Sequence, residues 1–395
     1  MREGWTYKKL GDICEIERGG SPRPIQQYIT DDEDGLNWIK IGDAVEGSKY
    51  INSTKEKIIK EGLKKTRFVH KGDFILSNSM SFGKPYILGI DGCIHDGWLV
   101  IRDTHNHFDK SFLYYLLGSP NMYNEFKRLA VGGVVNNLNS QLVRNVFVAV
   151  PPLSEQQRIV SELDLLSSII EKKKAQLKEY DQLAQSIFYD MFGDPIENSK
   201  GWEVKKLGEV CEVSSAKRVL IEEVVDSGVP FIRGTELTAL SKLTRGEKMN
   251  YTLFITQEHY ERLKAITGIP KVGDLLIPSI NSDGIVWIVD TEEPLYFKDG
   301  RVLWVHVNNC VFSSITLQRI MSFLIKNTFT LMNGATFAEL KLFVLRDLLV
   351  PIPPLPLQQS FASKIEEIER QKSLIQQSIN EAETLFNSRM DYWFS

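Results

Sequence analysis

Few residues in this sequence could do chemistry, and they are scattered. Asp73 and Asp274 each follow a glycine at the head of an apolar run, Gly72-Asp73-Phe74-Ile75 and Gly273-Asp274-Leu275-Leu276. A carboxylate so placed could serve metal-dependent nucleic-acid cleavage, but neither has a nearby Glu-x-Lys partner. A turn feeding a buried strand accounts for both. The six histidines are dispersed; His95, His105 and His107 lie in a turn-rich stretch with no acidic ligand at helical spacing, so no metal site is expected. Cys14, Cys93, Cys211 and Cys310 stand far apart with no Cys-x-x-Cys pair, against a zinc site or a disulfide framework and in favour of a reduced, cytoplasmic protein. No phosphate-binding P-loop, nucleophile elbow or His-Glu-x-x-His motif is present. Nor is there an Asn/Asp-Pro-Pro-aromatic tetrapeptide of the kind that grips a target base in amino-methyl transfer. No catalytic centre emerges.

What remains is charge. Residues 55–67, KEKIIKEGLKKTR, are rich in cations; phosphate contact and a solvated helix face both account for them. The whole chain carries 47 Lys+Arg against 51 Asp+Glu, a net charge of −4, and a lone nucleic-acid binder is usually far more basic. If DNA is the ligand, local patches and a partner protein must supply much of the phosphate attraction. No apolar run is long enough to span a membrane, and the N-terminus lacks the apolar core of a signal peptide.

The elements that would position such patches are clearer. From Pro151 to Asp194 the chain reads as one long helix, with Ser154 as N-cap and Gln157 completing a capping box. Ile159, Leu163, Leu166, Ile170, Leu177, Tyr180, Ala184, Ile187 and Met191 fall at alternating four- and three-residue spacing, the heptad pattern of a coiled coil. Such a helix would extend about 55 Å and needs a partner. The C-terminus repeats the design: Pro151, Pro152, Leu153, Gln156 and Gln157 map onto Pro353, Pro354, Leu355, Gln358 and Gln359. The second seam runs through Phe361, Ile365, Ile368, Lys372, Ile375, Ile379, Ala382, Phe386, Arg389 and Trp393. Lys173 and Lys372 place one cation on each seam at different levels, a device that fixes register.

The repetition extends to nearly the whole chain. Trp5, Lys8, Lys9, Leu10, Gly11 and Cys14 recur as Trp202, Lys205, Lys206, Leu207, Gly208 and Cys211; Trp38-Ile39-Lys40 with Asp43 is echoed by Phe231-Ile232-Arg233 with Glu236; Asp96-Gly97 matches Asp299-Gly300, and Arg144 matches Arg346. Short apolar runs bounded by Gly, Asp, Asn and Pro read as strands: WIKIG, FILS, WLVIR and VFVAV in the first half, PFIRG, LLIPSI, IVWIVD and VLWVHV in the second. Residues 111–130 and 315–329 read as helices. The expected class is α+β, with two mixed, mainly β domains at 1–150 and 196–352. Two long helices, 151–195 and 353–395, separate them, form an antiparallel coiled coil and give the chain an internal pseudo-twofold repeat.

Two copies of Pro-Pro-Leu-x-x-Gln-Gln heading long helices, each after a variable mixed domain, resemble the specificity subunit of a type I restriction-modification enzyme. The Trp-x-x-x-Lys-Leu-Gly openings at Trp5 and Trp202, the Gly-Gly-Ser-Pro-Arg-Pro turn at 19–24 and the Met-Phe-Gly-Asp-Pro exit at 191–195 match as well, and the resemblance covers the full length. It implies that each mixed domain is a target-recognition domain reading one half of a bipartite site in double-stranded DNA. It also implies that the helices space the domains and dock two methyltransferase subunits, which bind S-adenosylmethionine and methylate adenines. A motor-nuclease subunit using ATP and Mg²⁺ would join through them. The specificity subunit itself would hold no cofactor or metal and catalyse nothing.

Under that resemblance the DNA-binding candidates in the first domain are Arg18, Ser21 and Arg23 in the Gly/Pro turn, Lys40 after a strand, and Ser79 and Lys84 in the following loop. In the second they are Lys217, Arg218, Arg233, Asn281 and Ser282. Arg and Asn suit bidentate contacts to guanine and adenine, and Ser and Lys suit phosphate. Gly-Gly-Ser-Pro-Arg-Pro has no copy in the second domain, where Ser-Ser-Ala-Lys-Arg-Val stands instead. Unlike domains imply unlike half-sites, and the helices act as a ruler: four inserted residues add about 6 Å, roughly two base pairs. The rival readings are a coiled-coil adaptor whose two units bind proteins, and a nuclease using Asp73 and Asp274.

Overall fold

The computed structural model describes all residues except 1, 3, 46, 79–82, 131–137, 244–248 and 333–338, together with the side chains of 328–332. By packing, the chain divides into one unit of residues 1–172 with 380–395 and a second of residues 173–379. The division falls inside both long helices, Leu153–Phe192 and Leu355–Phe394.

In the first unit, two five-stranded sheets pack through alternating apolar side chains. One runs in the order Glu15–Arg18, Trp98–Arg102, Phe74–Ser77, Pro85–Leu88, Tyr50–Ile51; the other in the order Ile29–Thr30, Glu56–Ile58, Leu36–Ile39, Gly92–Ile94, Arg67–Val69. The run Trp98–Ile101 is buried on both faces, as expected of a central strand covered on each side. A separate ribbon pairs Thr6–Lys9 with Phe147–Val150. The second unit repeats the plan with fewer strands: Glu212–Ser215, Val302–His306, Leu275–Pro278 and Trp287–Ile288 in one sheet, Phe254–Ile255, Val229–Ile232 and Tyr296–Phe297 in the other, and a ribbon of Glu203–Lys206 with Leu349–Ile352. The fold is mixed α+β. The repeated Gly and Arg acquire a cause: a Cβ on Gly11 would lie 2.6 Å from that of Arg144, whose guanidinium crosses to donate to Ile16 O at 2.7 Å. In the second unit Arg346 donates likewise to Val213 O at 2.9 Å.

The long helices pair antiparallel within each unit. In the first, Glu162 accepts from both Arg389 and the Trp393 indole, and Arg158 lies over the Trp393 ring. In the second, Lys372 meets Asp181 at 2.8 Å and Phe361 packs edge-on against Phe188 and Phe192. Rising numbers on one helix thus meet falling numbers on the other. On the seam Ile159, Leu163, Ile365, Ile368, Ile375 and Ile379 are buried, and Leu166, Ile170, Leu177 and Phe386 are half-buried.

Local expectations need adjustment in several places. The first long helix starts at Leu153, so Ser154 and Gln157 lie inside its first turns and form no cap. Near its end Phe188 and Phe192 are buried beside the half-buried Ile187 and Met191, because the helix there also packs on the core of the unit, which widens the apolar stripe by one position. Residues 111–130 form two helices, Lys110–Leu117 and Pro120–Ala130, broken at Gly118 and Ser119. The basic stretch 55–67 is no helix face either: it supplies Glu56–Ile58, a 3-10 turn at Lys60–Lys65 and Arg67–Val69.

Candidate nucleic-acid interface

Each unit contains a parallel strand pair at whose end two side chains emerge together. In the first unit Leu36–Ile39 runs parallel to Gly92–Ile94, with Ile39 opposite Ile94. Both are fully buried, so the next residues, Lys40 and His95, leave the core side by side, tied by His95 N donating to Ile39 O at 3.0 Å. In the second unit Val229–Ile232 runs parallel to Tyr296–Phe297. Arg233 and Lys298 emerge in the same way, with Lys298 N donating to Ile232 O at 2.9 Å. The carboxyl ends of adjacent parallel strands are a common place for a binding site.

Around the first edge Asp96 gathers the Gly/Pro turn. Its carboxylate accepts from Ser21 Oγ at 2.7 Å and meets His95 Nε2 at 3.0 Å; its carbonyl accepts from Arg18 Nε and Asn78 Nδ2, both at 3.0 Å. Burial alone would raise the Asp96 pKa, but the Ser21 hydrogen bond and the charges of His95 and Arg18 hold it below the usual carboxylate value. The turn lies so close to the strand ends that a Cβ on Gly19 would stand 2.3 Å from His95 O. A cavity of about 930 Å³ opens beside it, with Ser21, Arg23, Trp38, Lys40, Glu56 and His95 on its walls. Lys40 Nζ is 2.5 Å from Glu56, so this cation is partly neutralised, whereas Arg23 is exposed. Of the expected residues in this unit, the structure brings together Arg18, Ser21, Arg23 and Lys40. Lys84 lines a different cavity, with Tyr114, Asp164 and Glu171. Ser79 lies outside the described residues.

The second edge is built differently. Arg233 donates through Nε and Nη2 to Glu236 at 3.0 and 2.6 Å, while Arg233 N and Thr235 Oγ1 donate to the same carboxylate. The Arg233 bonds foremost pull the nearly buried Glu236 carboxyl down to about 2. Lys217 and Arg218 are exposed, and Lys217 N is pinned to the Tyr296 hydroxyl at 2.9 Å. Strand register explains why the Gly-Gly turn has no copy: Arg18 and Ser215 occupy equivalent places, opposite Leu99 and Leu303, so Ala216 and Lys217 stand where Gly19 and Gly20 do. Ser282 is exposed and donates to Asp283. Asn281 must be corrected: it is buried and spends both ends of its amide on Ile285, at 2.7 and 2.6 Å. It braces its loop and has no free edge for a base.

Asp73 and Asp274 are braces too. Asp274 is buried and receives Trp304 Nε1 and His306 Nδ1, both at 2.8 Å, and Lys271 N at 2.9 Å; Asp73 takes Arg102 and His70 N at 3.0 Å each. Among the described residues no group of three or more His, Cys, Asp or Glu could hold a metal ion. Replacing Asp274 by Asn should destabilise the second unit by about 1–3 kcal/mol, since buried donors lose their acceptor. Urea unfolding followed by tryptophan fluorescence measures this.

A family model described as the type I restriction modification DNA specificity domain matches residues 2–179 and 199–384. The chain belongs to that family. It is similar to the type I restriction enzyme MjaIX specificity subunit of Methanocaldococcus jannaschii, at 24% identity over 92% of this chain and 86% of the relative. Its fold resembles that of a chain from a type I R-M system described for complex assembly and conformational transition, with TM-score 0.64, 18% identity and coverage of 100% and 98%. It also resembles the type I restriction-modification S subunit of M. genitalium, with TM-score 0.53, 14% identity and coverage of 98% and 95%.

Within this specificity-domain chain, sequence reading missed the acceptors. Asp96, Glu56 and Glu236 organise the cations, and Asp96 and Glu236 had shown only as repeated positions. It also missed Gln156 and Gln358, whose place in the Pro-Pro-Leu-x-x-Gln-Gln head was the available signal.

Proposed function

We propose that this chain is the DNA sequence-specificity subunit of a type I restriction-modification system, in which each unit reads one half of a bipartite, gapped site in double-stranded DNA. The observation that carries the reading is the repeated strand-end edge. Both units present a cation beside the end of a parallel strand pair, yet the residues differ: Lys40 with Arg18, Ser21 and Arg23 in one, Arg233 with Lys217 and Arg218 in the other. Equivalent frames bearing unlike side chains suit two unlike half-sites. With a net charge of −4, the chain relies on partners for much of its phosphate attraction. The proposed partners are two methyltransferase subunits holding S-adenosylmethionine, and through them motor-nuclease subunits using ATP and Mg²⁺; this chain is the non-catalytic reader. No helix among the described residues is long and apolar enough to cross a membrane, and the proposed place of action is the cytoplasm.

The test is selection from a random duplex library by the chain co-purified with the proposed methyltransferase subunit. Enrichment of two unlike short motifs at fixed spacing is expected. A stable complex that enriches nothing overturns the reading in favour of a protein-binding adaptor.

A further inference from the structure

We infer that Arg233 is a specificity-determining residue that reads a guanine in the half-site of the second unit, and that Glu236 is the positioning residue that aims it. The inference rests on the reading of the chain as a DNA specificity subunit. Arg233 stands at the mouth of the parallel strand pair, 45% exposed at its side chain, while Glu236 beneath it is 10% exposed. Exposed arginines normally sample many rotamers, and ordering one on binding costs affinity. Here the ordering is already done: two guanidinium nitrogens and the Arg233 amide all bond to one carboxylate, itself fixed by Thr235 at the start of the helix Gly234–Leu240.

The bonds to Glu236 engage the Nε–Nη2 edge. The opposite edge, Nη1 with the second Nη2 proton, bonds to no acceptor among the described residues and is held in a fixed plane. Two parallel N–H groups match O6 and N7 of guanine in the major groove. The ion pair also weakens Arg233 as a phosphate anchor, because Glu236 offsets its charge. Lys217 and Arg218, exposed nearby, are better placed for that role. The equivalent position of the first unit holds Lys40, bound to Glu56 by a single nitrogen, and a lysine cannot present a fork. The two half-sites should therefore differ in this contact.

The experiment compares the full chain with Arg233→Lys, Arg233→Ala and Glu236→Gln variants, each co-purified with the methyltransferase subunit and challenged with the same random duplex library. Expected is loss of guanine preference at one position of one half-site, by roughly ten-fold or more, with the other half-site and the spacer unchanged. Arg233→Lys keeps the charge and the stem and should relax the same position, which covers the case in which the alanine or Gln variant fails to fold. Uniform weakening across all sequences would make Arg233 a phosphate anchor and overturn the inference, as would an unchanged motif. A wild-type complex that selects no motif would instead overturn the reading on which the inference rests.

Discussion

Replacing Phe361 with alanine is expected to destabilise the unit of residues 173–379 by about 3–5 kcal/mol, the range for truncating a buried aromatic side chain. Phe361 is fully buried in the second turn of the second long helix. Its ring centroid lies 5.0 Å from that of Phe192 and 5.8 Å from that of Phe188, both edge-on, the arrangement that aromatic pairs favour. The same three rings belong to a core that includes Leu207, Leu275, Val305 and Leu345. One truncation therefore opens a void bordered by both long helices and the sheet. The check is hydrogen exchange of the amides of residues 184–192 together with urea unfolding. A loss below about 1 kcal/mol would mean that the helix ends are not part of the core.

Removing the first glutamine of either helix head should cost about as much, for a different reason. Gln156 is fully buried; its Oε1 accepts from Asp109 N at 2.7 Å, and its Nε2 donates to the carbonyls of His107 and Pro151, both at 2.9 Å. Gln358 makes the same three bonds, from Ser313 N and to Val311 O and Pro353 O. Each side chain latches the start of a long helix to the turn before a helix of its own unit, Lys110–Leu117 or Ser314–Met332. Truncation to alanine leaves three backbone groups unpaired, one buried and two partly buried, and at the lower end of the range of about 1–3 kcal/mol for each unsatisfied group a total near 3–5 kcal/mol is expected. Gln157→Ala and Gln359→Ala serve as controls: both side chains are exposed, and changes within about 0.5 kcal/mol are expected. If the buried and exposed positions respond alike, the latch is not what these heads are for.

These latches show what was legible in the sequence. The repeat, the two long helices, most strand runs and the mixed class could be read directly, because each rests on local periodicity or on self-similarity. The Pro-Pro-Leu-x-x-Gln-Gln head was visible as a pattern, but its work was assigned to capping, since partners at His107 and Asp109 cannot be seen from residue 156. The same distance hid Asp96, which serves Ser21 from 75 residues further along the chain. Heptad spacing placed Ile187 and Met191 on the seam, where both pack half-buried, but it assumes a single partner helix. With the core of the unit as a second neighbour, Phe188 and Phe192 face inward beside them. Asn281 looked like a reader because asparagine in a loop often is one; only its two bonds to Ile285 show the amide to be spent. Side chains at strand ends were the most readable part of the site, since a short apolar run tells where the chain leaves the core.

The most direct test of the bipartite reading is methylation mapping. The chain would be co-expressed with the proposed methyltransferase subunit in a host lacking other adenine methylation, and modified adenines read across the genome. Modification confined to a gapped motif with two unlike halves and one fixed spacer is the expected result. Modification at a single ungapped motif, or none despite a stable complex, would contradict it.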